Sequence, residues 1–153
     1  MSAVTQPPLE DTDRRIVDLL ADDGRMSFTD LGKATGLSTS AVHQRVKRLE
    51  QRGIITGYAA ALDHTVLGLP LTAFISITPI DPAAPDDYPE RVRGIAEIES
   101  CWSVAGEESY ILKVRVGTPV DLEDLLARIR SAASVSTRTT VVLSTPFENR
   151  SVS

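Results

Sequence analysis

Residues 38–53 read Ser-Thr-Ser-Ala-Val-His-Gln-Arg-Val-Lys-Arg-Leu-Glu-Gln-Arg-Gly. Val42, Val46 and Leu49 recur at four- and three-residue spacing, so a helix through them has one buried stripe. Ser40, His43, Gln44 and Lys47 fall on the opposite face. Small polar residues, Ser38, Thr39 and Ser40, stand at the N-terminal end, where a helix comes nearest to base edges or phosphates and where bulky residues would block the groove. Such a helix is shaped for the major groove of double-stranded DNA.

The neighbouring segments supply what that helix packs on. Asp11, Thr12 and Asp13 place acids at a helix start, and Ile16, Val17, Leu19 and Leu20 form an apolar stripe that stops near Asp23-Gly24. Ser27 followed by Asp30 is a capping pattern for a second, short helix with Leu31 and Ala34 facing inward. Gly36 stands where a C-cap needs a left-handed residue, Leu37 bridges the turn, Ser38 caps the third helix and Gly53 ends it. Ile54–Tyr58 reads as a strand that, with 59–63, makes a small wing. The expected unit is a winged helix-turn-helix.

On the third helix, Gln44 suits adenine N6 and N7, and His43 can donate to a base or a phosphate. Lys47, Arg48 and Arg52 suit phosphates. Arg45 projects from the flank nearer the apolar stripe, so holding helix one or a phosphate in place is as open to it as reading a base. A plain three-helix bundle kept soluble by these cations is the competing reading. The polar N-terminal end of the helix weighs against it.

The chain has 153 residues with a formal charge of −5, 42% hydrophobic and 5% aromatic residues. That length allows one domain or two thin ones, and the composition fits a globular chain. No apolar run approaches the roughly 18 residues needed to cross a bilayer. The N-terminal residues lack the basic start and apolar core of a signal peptide, and Cys101 is the single cysteine, so no intrachain disulfide framework exists. A cytoplasmic address is expected. The acid lies chiefly beyond residue 80, whereas 38–53 carry Arg45, Lys47, Arg48 and Arg52 against Glu50 alone, a local +3. A basic element on an acidic body limits non-specific binding and leaves each subunit few phosphates to hold, so several subunits are expected to act together.

The second half changes period. Leu71, Ala73, Ile75 and Ile77 alternate with Thr72, Phe74, Ser76 and Thr78, giving a strand that ends at Pro79. Pro89, Val92 and Ile95 mark a helix, after which 98–104 alternate again. Residues 106–109 turn the chain into a return strand with Tyr110, Leu112, Val114 and Val116 inward. Thr118 and Asp121 cap a helix with Pro119 at its first position and Leu122, Leu125, Leu126 and Ile129 on one face. A last strand is expected over 137–143. The fold class is α+β, with a βαββαβ ferredoxin-like domain behind the helix-turn-helix. The expected division is a flexible N-terminus at 1–8, a DNA-binding domain at 9–63, a linker at 64–70 and an α/β domain at 71–153. Cys101 and Trp102 are expected in the core or an interface.

These residues resemble the Lrp/AsnC (feast/famine) family of transcription regulators across nearly the whole chain. The resemblance is carried by Leu-Glu-Asp-Thr-Asp-Arg-Arg-Ile at 9–16, Asp-Gly-Arg at 23–25, Gly-Leu-Ser at 36–38, Arg-Val-Lys-Arg-Leu-Glu at 45–50, Gly-Ile-Ile-Thr-Gly-Tyr at 53–58 and Val-Ala-Gly-Glu-Glu-Ser-Tyr at 104–110. It implies an Lrp-type (RAM) ligand domain, dimers formed through its sheet that often assemble into octamers, and DNA wrapped or bridged by the assembly. It also implies a small effector, commonly an amino acid, bound between subunits near Ser103, Val104, Ala105, Gly106, Glu107, Glu108 and Ser109. There Gly106 would let backbone N–H groups face a carboxylate, and Glu107 or Glu108 would receive an ammonium group. Ser134, Ser136 and Arg138 of a neighbouring subunit would form the second wall. Ser109 departs from the family, which often has an acid there. The competing view is an exposed turn with two solvated acids.

An enzyme reading comes from relatives of this fold that decarboxylate tetrapyrroles. The histidines, His43 and His64, belong to no paired acid/base set, and the sequence shows no nucleophile elbow, phosphate loop, metal cluster or cofactor motif. A ligand-free protein that compacts DNA architecturally is the other alternative.

Overall fold

The computed structural model describes residues 6–152. They form two compact units, one reaching to Ala61 and including the chain from Phe147 onward, the other spanning Leu62–Pro146.

The first unit holds α1 (Asp11–Asp22), α2 (Phe28–Thr35) and α3 (Thr39–Gln51). Ile16, Leu20, Leu31, Val42, Val46 and Leu49 form its core. Ser27 caps α2 by accepting the Asp30 N–H, and Ser38 caps α3 by accepting that of Ala41. Gly36 ends α2 in the left-handed region at φ 75°. Gly32 allows the turn to close: a Cβ there would lie 2.6 Å from the carbonyl oxygen of Leu37. It, rather than Ala34, is the buried small residue of α2, because α2 turns the Gly32 side toward the turn and leaves Ala34 exposed.

The expected strand at Ile54–Tyr58 does not form, and no wing is present among the described residues. Gly53 takes a left-handed φ of 71°, and the N–H groups of Ile54 and Ile55 both turn back to the Leu49 carbonyl. Those donors close the end of α3 instead of meeting a second strand, and both isoleucines pack on the helical core. Residues 1–5 of the expected flexible N-terminus lie outside the described residues. Gln6 and Pro7 are anchored: Gln6 donates to the Arg52 carbonyl at 3.3 Å, and Arg52 donates to that of Pro7 at 3.1 Å.

The second unit contains β1 (Leu71–Pro79), α4 (Tyr88–Val92), β2 (Ile98–Ser103), β3 (Tyr110–Val116), α5 (Pro119–Ala133) and β4 (Val135–Val141). The strands make an antiparallel sheet in the order β2-β3-β1-β4. Alternation turns Ala73, Ile75, Ile77, Leu112 and Val114 toward Leu125 and Ile129 of α5 and Val92 of α4. Thr118 caps α5 through the Asp121 N–H, with Pro119 opening the helix. The last strand begins two residues earlier than expected, because Ser134 adopts a left-handed φ of 50° and reverses the chain at once. The register slips between Ile98 and Ser100, and the extra residue, Glu99, reaches both Lys113 (3.3 Å) and Arg115. Neither Cys101 nor Trp102 lies in this chain's core; both are exposed on the edge strand β2, Trp102 by 47%.

Candidate nucleic-acid and effector sites

The face of α3 opposite its buried stripe carries Ser40, His43, Gln44 and Lys47, all exposed. Ser38 is committed to capping, its hydroxyl also meeting that of Ser40 at 3.2 Å, so Thr39 and Ser40 are the small residues facing outward at this end. His43 stands edge-on to the ring of Phe28, centroids 5.2 Å apart. Gln44, one residue on, is exposed.

The cations divide into two sets. Arg45 donates to Asp13 at 2.9 Å and to Glu10 at 3.0 Å, and these bonds, Asp13 first, raise its pKa further above the ordinary arginine value. Arg48 approaches the other oxygen of Asp13 at 3.3 Å. Arg52, expected to meet a phosphate, lends one nitrogen to the carbonyl of Pro7. Lys47 is exposed, and no carboxylate pairs with it among the described residues. Of the two roles open to Arg45 in the sequence, holding helix one is the one this geometry fills. Asp13 and Glu10 are the residues that sequence reasoning missed. Their three-residue spacing along α1 was a visible signal, but the burial of Asp13 was not.

In the second unit the turn after β2 shapes two adjoining cavities. One, of about 470 Å³, is lined by the whole run from Ser103 to Tyr110 together with Pro79, Pro82, Ala84, Asp86 and Tyr88. The loop after β1 had no motif to mark it, so its contribution was not read from sequence. The other, of about 190 Å³, lies between Glu107 and Glu108 on one side and Ser76, Thr78 and Ser136–Arg138 on the other. Within its own chain Arg138 approaches Glu108 at 3.3 Å, because β4 and β3 flank β1 and Ser76 pairs with both Arg138 and Ile111. Ser134 stands apart, serving as the C-cap of α5.

Glu108 is already engaged. It accepts from Ser76 at 3.0 Å, and its own backbone N–H, Ser76 and Arg138 hold its carboxyl below the usual glutamate range. Glu107 is almost fully exposed, with Arg138 no nearer than 4.0 Å. Asp86 accepts the Tyr110 hydroxyl at 2.8 Å, which pushes the tyrosine pKa up. An incoming cation therefore finds Glu107 and Asp86 more available than Glu108. Gly106 does not have a left-handed φ, and a Cβ there would make an ordinary 3.6 Å contact with Glu108. Its presence is not what shapes the turn. No group of His, Cys, Asp and Glu able to hold a metal occurs among the described residues, and no helix among them is long and apolar enough to cross a membrane.

Comparison with known proteins covers both units. Residues 9–50 match the AsnC-type helix-turn-helix domain, and 72–152 match the Lrp/AsnC ligand binding domain. The chain is 52% identical over 142 residues to the HTH-type transcriptional regulator LrpA of Mycobacterium tuberculosis, covering 93% of this chain and 95% of that one. Among solved structures it is similar to the feast or famine regulatory protein from M. tuberculosis complexed with L-methionine, with a TM-score of 0.92, 51% identity and coverage of 95% and 99%. It is also similar to a transcriptional regulator from Neisseria meningitidis in complex with L-methionine, with a TM-score of 0.88, 27% identity and coverage of 95% and 97%.

Proposed function

This chain belongs to the Lrp/AsnC family of transcriptional regulators, and from that premise we propose that α3 reads double-stranded DNA while an amino acid seated at the Ser103–Ser109 turn adjusts that reading. The observation that carries the DNA half is the exposed polar face of α3: Gln44 reads a base, Thr39, Ser40 and His43 position the helix, and Lys47 and Arg52 supply the field for phosphate.

The effector half rests on the cavity behind the turn, which has room for an amino acid, and on the L-methionine carried by two similar proteins. Glu107 and Asp86 are placed to receive the ammonium group, and the apolar side chain of the ligand lies toward Pro79 and Tyr88. Ser109, uncharged, leaves that task to them. The protein works in the cytoplasm without catalysis, as a homodimer formed through its sheet that assembles further, so that weakly basic helices add by effective concentration.

Fluorescence anisotropy on the DNA upstream of its own gene and on a scrambled duplex tests this. A preference of about 10³-fold or more is expected of a specific regulator. Equal affinity for both duplexes would point instead to an architectural protein that compacts DNA.

A further inference from the structure

We infer that Asp13 is an internal counter-anion of α3 that withholds Arg45 and Arg48 from the DNA backbone, leaving Lys47, with Arg52 at the end of the helix, to meet phosphate. The inference rests on the DNA-binding reading above and divides the work among its cations. Asp13 is buried, 1% exposed, on α1, and each of its two oxygens faces a different arginine of α3, Arg45 at 2.9 Å and Arg48 at 3.3 Å. A carboxylate out of water keeps its cations strongly, because the alternative is an unpaired buried charge. Arg45 is held twice, by Asp13 and by Glu10 at 3.0 Å, and its side chain is only 26% exposed. Arg48 is 51% exposed. It is open to solvent, yet one of its nitrogens is committed inward to Asp13.

The consequence is a limit on sequence-independent affinity. Each cation that neutralises a phosphate adds about 0.9 to the steepness of log K against log salt. A cation already neutralised by a buried carboxylate releases no counterion of its own on binding, so it adds little. The basic character that the sequence assigns to α3 is thus largely cancelled at its inner edge, which lowers binding to random DNA and leaves discrimination to the base-facing residues. Asp13 is a positioning residue in this scheme, acting on DNA through Arg48.

The test is the salt dependence of binding to a random duplex. Asp13→Asn releases Arg48 while Glu10 still holds Arg45. The slope is expected to steepen by about 0.9, with affinity at 0.1 M salt rising about eightfold. A purely structural role for Asp13 would instead weaken binding to every duplex without steepening the slope, and that result overturns the inference. If circular dichroism shows that Asp13→Asn does not fold, the surface variants Lys47→Gln and Arg48→Gln decide. Lys47→Gln is expected to flatten the slope by about 0.9 and Arg48→Gln by less than half as much; equal flattening overturns the inference. Failure of the unsubstituted protein to bind any duplex at low salt would remove the DNA-binding reading itself and the inference with it.

Discussion

The carboxylate of Asp13, buried on the first helix, accepts a 2.9 Å hydrogen bond from Arg45 of the third. This bond ties the recognition helix to the helix it packs on, across a core of Ile16, Val42 and Val46. Arg45→Ala leaves Asp13 with Arg48 alone. The expected loss is about 3 kcal/mol of stability in the helix-turn-helix unit, most of it the cost of a buried carboxylate left half-paired. Chemical denaturation followed by circular dichroism measures it, and a loss under about 0.5 kcal/mol, the scale of a surface substitution, would show that the pair is incidental.

Gly32→Ala addresses the turn itself. The added methyl would lie 2.6 Å from the Leu37 carbonyl oxygen, which also accepts no relief from a flexible side chain because it is backbone. Widening the turn is expected to cost about 1–3 kcal/mol. Urea unfolding checks the cost, and an unchanged midpoint would mean that the turn has more play than the structure gives it.

Gln44→Ala separates reading from holding. Loss of a bidentate base contact is expected to weaken binding to the preferred site by about 1–3 kcal/mol and to leave random DNA nearly untouched. Parallel losses on both duplexes would take Gln44 out of base readout.

How much of this was legible depended on the range of the interaction. The stripe of Val42, Val46 and Leu49, the caps at Ser27, Ser38 and Thr118 and the left-handed Gly36 are set by neighbours a few residues away, and the structure has each where the sequence predicts it. The wing failed because Ile54 and Ile55 look like strand residues only if a partner strand exists; within this chain their N–H groups have a nearer acceptor in Leu49. The partners of Asp13 stand 32 and 35 residues away, and no local pattern announces them. At the turn after β2 the run from Ser103 to Ser109 was legible as a hairpin. Arg138 is placed against it by sheet order and Asp86 by the loop after β1, neither of which periodicity fixes at the level of single side chains.

Acid should act on the turn through Glu108. Its folded pKa is depressed below the ordinary 4.5 by its own backbone N–H, Ser76 and Arg138. A depressed carboxyl contributes stability that is present above the unfolded value and is lost as pH falls through the folded one, so the loss begins below about 4.5. Glu108→Gln is expected to remove this part of the acid limb while leaving stability at neutral pH lower and flatter with pH. Carboxyl NMR titration gives the value directly, and a midpoint at or above 4.5 would contradict the contacts described.

The two halves are joined by one claim, that an amino acid at the Ser103–Ser109 turn changes how α3 holds DNA. The most direct test is the affinity for the upstream site with and without saturating L-methionine, repeated for Glu107→Gln. A coupling of roughly 5–150-fold, or about 1–3 kcal/mol, is typical of linked sites. A shift in that range, in either direction, is expected, and Glu107→Gln reduces it while DNA affinity without ligand stays unchanged. An L-methionine that demonstrably binds, by calorimetry, yet leaves DNA affinity the same would contradict it.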